Sequence, residues 1–326
     1  MAIIANYIID ATGEVTIVLS TKVVSFPAPD NASPELAAAA AKSDMSLKDV
    51  EARIQVSAKH LKLASSVMNR QLTGGFTEAQ ELHETGKVEI KVEGWDLEAL
   101  LILLRIIHGR NHQVPKIITL SLFARIGTLV DYYACQETVE IWLHIWKSHL
   151  EAQIPTTYNA TEIVEWIWVS SFFDMPQVFD CVTLLAIKHG DDLMDSGEFP
   201  IKAKIIETIN THREQSIASV LALISRWRHG LRQGVFGCTF EGRSIDLGAL
   251  EQGLYVANMH QPPTTPYTGW SFYSLVSHVK AFQEPLSQCN PLSYLDHAKC
   301  DAIRKIVTEV EAIESEMLGL DLATCK

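Results

Sequence analysis

The sequence predicts an α+β protein, with a small sheet flanked by helices over residues 1–150 and a mainly α-helical region over residues 151–326. Three observations predict it. Period-two alternation and β-branched runs occur only early in the chain. Apolar residues at helical spacing dominate the remainder, and capping residues or glycines punctuate those helical stretches. At about 150 residues per domain, a chain of 326 residues fits two domains. A hydrophobic fraction of 47% with 20% charged residues is the composition of a packed chain.

Met1–Asp10 has no basic n-region and does not read as a signal peptide, and Met1–Thr12 is too short and too irregular for a good amphipathic helix. The first strand is Glu14–Leu19, a β-branched run after the Thr12-Gly13 turn. Residues 27–50 form a low-complexity insertion, in which Ser33-Pro34-Glu35 has the cap, proline and acidic chemistry of a short helix start. Ala52–Ser57 alternates as a second strand. Lys59–Leu72 then carries Leu61, Leu63, Val67, Met68 and Leu72 at helical spacing, and Thr73-Gly74-Gly75 stops it. Val88–Val92 is a third strand. Asp96 caps a leucine-rich helix closed by Gly109, Thr119 caps a helix to about Tyr133, and Cys135–Leu150 forms another. In the second half, Glu162–Phe173, Pro176–His189 and Pro200–His229 are helices, the last ended by Gly230, Gly234 and Gly237. Phe236–Pro291 reads as loop-rich, and Asp296–Met317 as a final amphipathic helix.

The net charge of −12 repels phosphate backbones, and no Lys/Arg cluster offsets it, so direct nucleic-acid binding is not expected. The most apolar helical stretch, Leu97–Ile107, contains Arg105 and is about half the length of a membrane span, so no membrane partner is expected. The six cysteines are scattered without a CxxC pair, which reads as reduced thiols in a cytoplasmic and/or nuclear protein. The sequons at Asn31 and Asn159 are then coincidental. His297 and Cys300 lie one helical turn apart, with Cys289 and Cys238 upstream, but the irregular spacing favours buried thiols over a metal site. Ser277-His278-Val279-Lys280 has the S-x-x-K form of a nucleophile motif without its S-D-N or K-T-G companions. No G-x-S-x-G, G-x-G-x-x-G or Walker A pattern occurs, and no catalytic residue, cofactor or metal is expected. Trp142 and Trp146, with Ile141 and Ile145, make a wide apolar face that serves either the core or a partner.

One set of segments is more specific. Val56–Ser65, Gly74-Gly75-Phe76, Lys87–Ile90, Ala99–Leu104, Ile107–Arg110 and Leu129–Cys135 resemble, in order and spacing, the BTB/POZ domain in its fungal form. The early strand Gly13–Leu19 fits that domain's first strand, so the resemblance covers about 15–20 and 52–150. Residues 237–240, 247–250 and 268–272 are similar to the C-terminal region of the same fungal proteins. The sequence departs from the family at Met68, where an aromatic is usual, and at Ser66, where proline is usual.

The resemblance implies a non-enzymatic protein–protein interaction module that self-associates as a homodimer, recruits partners, or acts as a substrate adaptor on the cullin scaffold of a ubiquitin ligase. Cullin-binding members carry a hydrophobic-x-Glu motif after the helix that Lys59–Leu72 would form, and Phe76-Thr77-Glu78 stands at that place. An aromatic anchor beside a carboxylate suits a helical protein partner. Two alternatives remain open: a nuclear transcriptional co-regulator, and an enzyme with a site in residues 236–291.

Overall fold

The computed structural model describes residues 3–23, 48–237, 239–285 and 301–325. Among these the chain is α+β, with one four-stranded sheet and thirteen α-helices. It divides into two compact units, residues 1–154 and 155–326. No helix among the described residues is long and apolar enough to cross a membrane.

The first unit is built on the sheet of β1 (Ile3–Ile8), β2 (Val15–Val23), β3 (Lys48–Val56) and β4 (Val88–Glu93), in the order β1-β3-β2-β4. β2 pairs antiparallel with β3 and parallel with β4, and β1 pairs parallel with β3 in the register Ile3↔Val50 to Ile8↔Gln55. β1 corrects the expectation that the strand at Glu14–Leu19 is the first element. Ala5 and Tyr7 are buried, but the outward Ile4 and Ile8 are apolar too, so the alternation is blurred in the sequence. β3 starts at Lys48, so the 27–50 insertion overlaps it at its end, while the short helix at Ser33 lies outside the described residues.

The most apolar helix of the unit is α4 (Leu97–Ile107), whose Leu97 and Ala99 through Leu104 are all buried. Asp96 caps it as expected, its Oδ1 accepting the Ala99 N–H at 2.9 Å. α5 (Leu120–Tyr133) and α6 (Gln136–Leu150) pack against α4 and against each other. On α6 the two apolar faces separate: Val139, Trp142, Trp146 and Leu150 are buried, whereas Ile141 is 75% exposed.

The predicted helix over Lys59–Leu72 is two helices, α1 (Ala58–Ala64) and α2 (Ser66–Thr73). Ser65 breaks it with extended backbone. Its hydroxyl accepts the Met68 N–H at 3.1 Å and donates to the Tyr133 carbonyl at 2.5 Å. A further helix that the sequence reading lacks, α3 (Thr77–Thr85), follows directly; it buries no residue, so it carries no apolar stripe to read.

The second unit is all helical among its described residues. α7 (Ala160–Phe172) and α8 (Pro176–His189) pack together, and the Asn159 sequon is α7's cap, accepting the Glu162 N–H at 3.3 Å. α9 (Ala203–Gln233) is the spine. It does not end at Gly230, which lies within it, but at Gly234, whose φ of +75° closes the last turn. The expected loop over 236–291 contains two helices, α10 (Phe240–Val256) and α11 (Phe272–Lys280). α12 (Ala302–Ser315) and α13 (Leu322–Cys325) follow; the expected helix residues Asp296–Cys300 lie outside the described residues. The unit's core joins Ile217, Val220, Trp227, Leu250, Phe272, Leu275 and Ile306.

Candidate functional site

Phe76 sits at the junction of α2 and α3. Its backbone is extended (φ −82°, ψ 155°), and its carbonyl accepts the Ala79 and Gln80 N–H groups, which starts α3. The ring lies over Gly74: a Cβ there would come within 3.2 Å of the ring and 2.6 Å of the Arg70 carbonyl oxygen. This contact covers one side of the ring, yet Phe76 remains 54% exposed. An aromatic so placed, on a turn held by backbone bonds, loses little freedom when a partner covers it.

Glu78 is in the first turn of α3, where a carboxylate complements the positive end of the helix. Its Oε1 accepts a hydrogen bond from Gln71 Nε2 at 3.0 Å, so α2 fixes one orientation of the side chain. The neutral Gln71 leaves the carboxylate's charge unpaired by that contact. The structure therefore brings the two sequence-predicted residues together on one short helical corner. Leu63 on α1 is 89% exposed, although the sequence places it in the same apolar series as the buried Leu61, Met68 and Leu72. With the helix broken at Ser65, the series belongs to two helix faces, and no signal in the sequence separates them.

The chemistry weighed elsewhere in the sequence has different surroundings. Lys280 donates to Glu314 at 2.9 Å and lies near Glu311. These acids hold its pKa above the ordinary lysine value, which opposes a role as base beside Ser277. Burial pushes the Cys135 thiol up to about 12, so it stays protonated. Among the described residues no group of three His, Cys, Asp or Glu side chains could hold a metal ion, and Cys238, Cys289, His297 and Cys300 lie outside them. The 236–291 region contains a cavity of about 790 Å³ between α10 and α11. Its ionisable side chains are His278 and Glu284, and Glu284 is taken by Arg304 at 2.8 Å.

No family model, curated protein or solved structure matches this chain.

Proposed function

We propose that this protein is a non-enzymatic interaction module of the BTB/POZ type, which recruits a helical protein partner, a cullin scaffold, through the α2–α3 corner. The exposed Phe76 ring beside the oriented Glu78 carboxylate supports this reading most directly. A partner that covers Phe76 removes apolar surface from water, and a basic or N–H donor group set against Glu78 fixes the register. Hot spots of this kind are small: one buried aromatic with one charged neighbour supplies much of an interface's affinity. The resemblance of residues 52–150 to the family supplies the identity of the scaffold.

The test is binding of a cullin N-terminal domain, followed by light scattering after size exclusion. The wild-type chain is expected to shift the cullin, Phe76→Ala to weaken binding by about 2 kcal/mol or more, and Glu78→Ala by about 1–2 kcal/mol. The same runs without cullin report whether the chain self-associates. A wild-type chain that neither dimerises nor shifts the cullin overturns the reading.

A further inference from the structure

The cavity between α10 and α11 is built from a floor, a fixed wall and a polar rim. Along α10 and its C-cap, Ala249, Gly253 and Ala257 line it one turn apart, with Ile245, Gln252 and Val256 beside them, so the small residues leave a shallow strip on that side. Gly253 admits the Phe282 ring, since a Cβ at that position would lie 2.8 Å from it. Phe282 and Leu275, both buried, form an apolar floor.

The opposite wall is Trp270, and it is held rigid. Its carbonyl accepts Arg213 Nη2 at 2.8 Å, and its N–H donates to the Tyr267 carbonyl at 3.0 Å. Ser271 and Ser274 then form a reciprocal capping box that starts α11 directly after it. Such a wall is in place before any ligand arrives, which lowers the ordering cost of binding.

The polar groups around the cavity fall into two sets. The Ser274 hydroxyl is spent on Ser271, and the Glu284 carboxylate is neutralised by Arg304. The Trp270 indole N–H and the side chains of Gln252, Asn258 and His278 make no hydrogen bond among the described residues. The free groups thus offer donors and acceptors without a fixed charge. Among the described lining residues an anion finds no free arginine or lysine, and a cation finds no unpaired carboxylate.

We infer that this cavity is a binding site for an uncharged, largely apolar, ring-bearing small molecule that carries one or two hydrogen-bonding groups. Its volume of about 790 Å³ is in the range of sites for such ligands, and its apolar floor with a few convergent polar groups is their usual form. The site lies wholly in the second unit and does not rest on the interaction surface at Phe76.

The probe is Nile red, a neutral fused-ring dye with a carbonyl acceptor, titrated against the full chain by fluorescence. One saturable site is expected, with a rise in thermal midpoint as the dye concentration passes its Kd. Ala249→Phe fills the cavity, and Gln252→Trp, at an exposed rim position, covers its mouth without touching the core. Each should weaken binding at least about tenfold. Trp270→Phe, which keeps an aromatic wall but loses the indole N–H and part of the ring area, should weaken it about threefold to tenfold. Phe76→Ala and Leu63→Ala should leave it unchanged, which separates this site from the interaction surface and from general apolar exposure. The anionic dye anilinonaphthalene sulfonate should bind more weakly than Nile red. Absence of saturable binding, equal affinity in folded Gln252→Trp, or preference for the anionic dye would each overturn the assignment. So would displacement of the dye only by an amphipathic peptide and by no neutral ring compound.

Discussion

Arg213 enters the second unit's interior with four carbonyl oxygens around its guanidinium. Nε donates to Gly190 at 2.8 Å, Nη1 to Pro266 at 2.8 Å, and Nη2 to Tyr267 at 2.9 Å and Trp270 at 2.8 Å. The side chain is 1% exposed and has no hydrogen-bonded carboxylate among the described residues; Asp192, Glu214 and Asp191 act on it through their field. Arginine suits the place because its fork is planar, always charged and able to reach several acceptors at once. Removing it strands the carbonyls of two loops. Arg213→Met should therefore cost about 3–5 kcal/mol in urea denaturation, and Arg213→Lys should recover less than half of that. A loss below about 1 kcal/mol for Arg213→Met would show that the loops hold without it. Nothing local in Thr211-His212-Arg213-Glu214 distinguishes this residue from a solvated helix position. Its role comes from acceptors up to 57 positions away. The candidate pair Phe76 and Glu78, by contrast, could be proposed from sequence because its two members are nearly adjacent there.

α10 shows why some elements escape a sequence reading. It carries Gly242, Gly248 and Gly253, each costing about 1 kcal/mol relative to alanine in a helix, and its apolar residues do not form one clean stripe. The helix persists because Leu250 and Leu254 are buried in the unit's core and Thr239 caps its start. It also supports its neighbour. α12 begins at Asp301, which has left-handed backbone and makes no side-chain cap bond, and the Ala302 N–H is instead met by the buried Asp246 of α10. Burial raises the Asp246 pKa despite that hydrogen bond, so the carboxylate's charge is a cost while its oxygen is useful. Asp246→Asn, which keeps the acceptor, should change stability by less than about 1 kcal/mol, whereas Asp246→Leu should lose about 1–2 kcal/mol. Urea midpoints for the two variants decide this; equal losses would refute the capping role. The helices that were legible are those whose signals are local. Asp96 and Thr119 precede apolar runs of even spacing, and Pro176 opens α8.

Across the whole molecule, each unit contains a histidine that burial drives toward its neutral form. In the first, His108 donates from Nδ1 to the Leu104 carbonyl at 2.8 Å and accepts the Ser57 N–H at Nε2, 3.0 Å away. Burial is the main cause of its lowered pKa; the nearby His60 and Arg110 lower it further, and Asp10 and the Leu104 bond oppose them. In the second, His189 stacks on Tyr273 at 4.5 Å; burial and Lys188 lower its pKa against the pull of Glu314. The unfolded chain takes up a proton at each as pH falls through about 6.5, while the fold resists it, so stability is full above that pH and declines below it. The slope is at most about 1.4 kcal/mol per pH unit for each histidine. Urea unfolding at about pH 7.5 and about pH 5.5, where only histidines titrate in number, should show this loss, and His108→Gln and His189→Gln should each reduce it. A pH-independent wild type would contradict both assignments. The sequence by itself determined the α+β class and most helix positions, and it singled out Phe76 and Glu78 as a candidate pair, because periodicity, caps and short motifs act within one or two turns of chain. The tertiary structure alone decided the parallel pairing of β1 with β3, the burial of Arg213 and the cavity beside Trp270. Each is a meeting of segments far apart in sequence, fixed by packing and hydrogen-bond satisfaction in the folded chain, and none of the three leaves a periodic trace in the residues that take part.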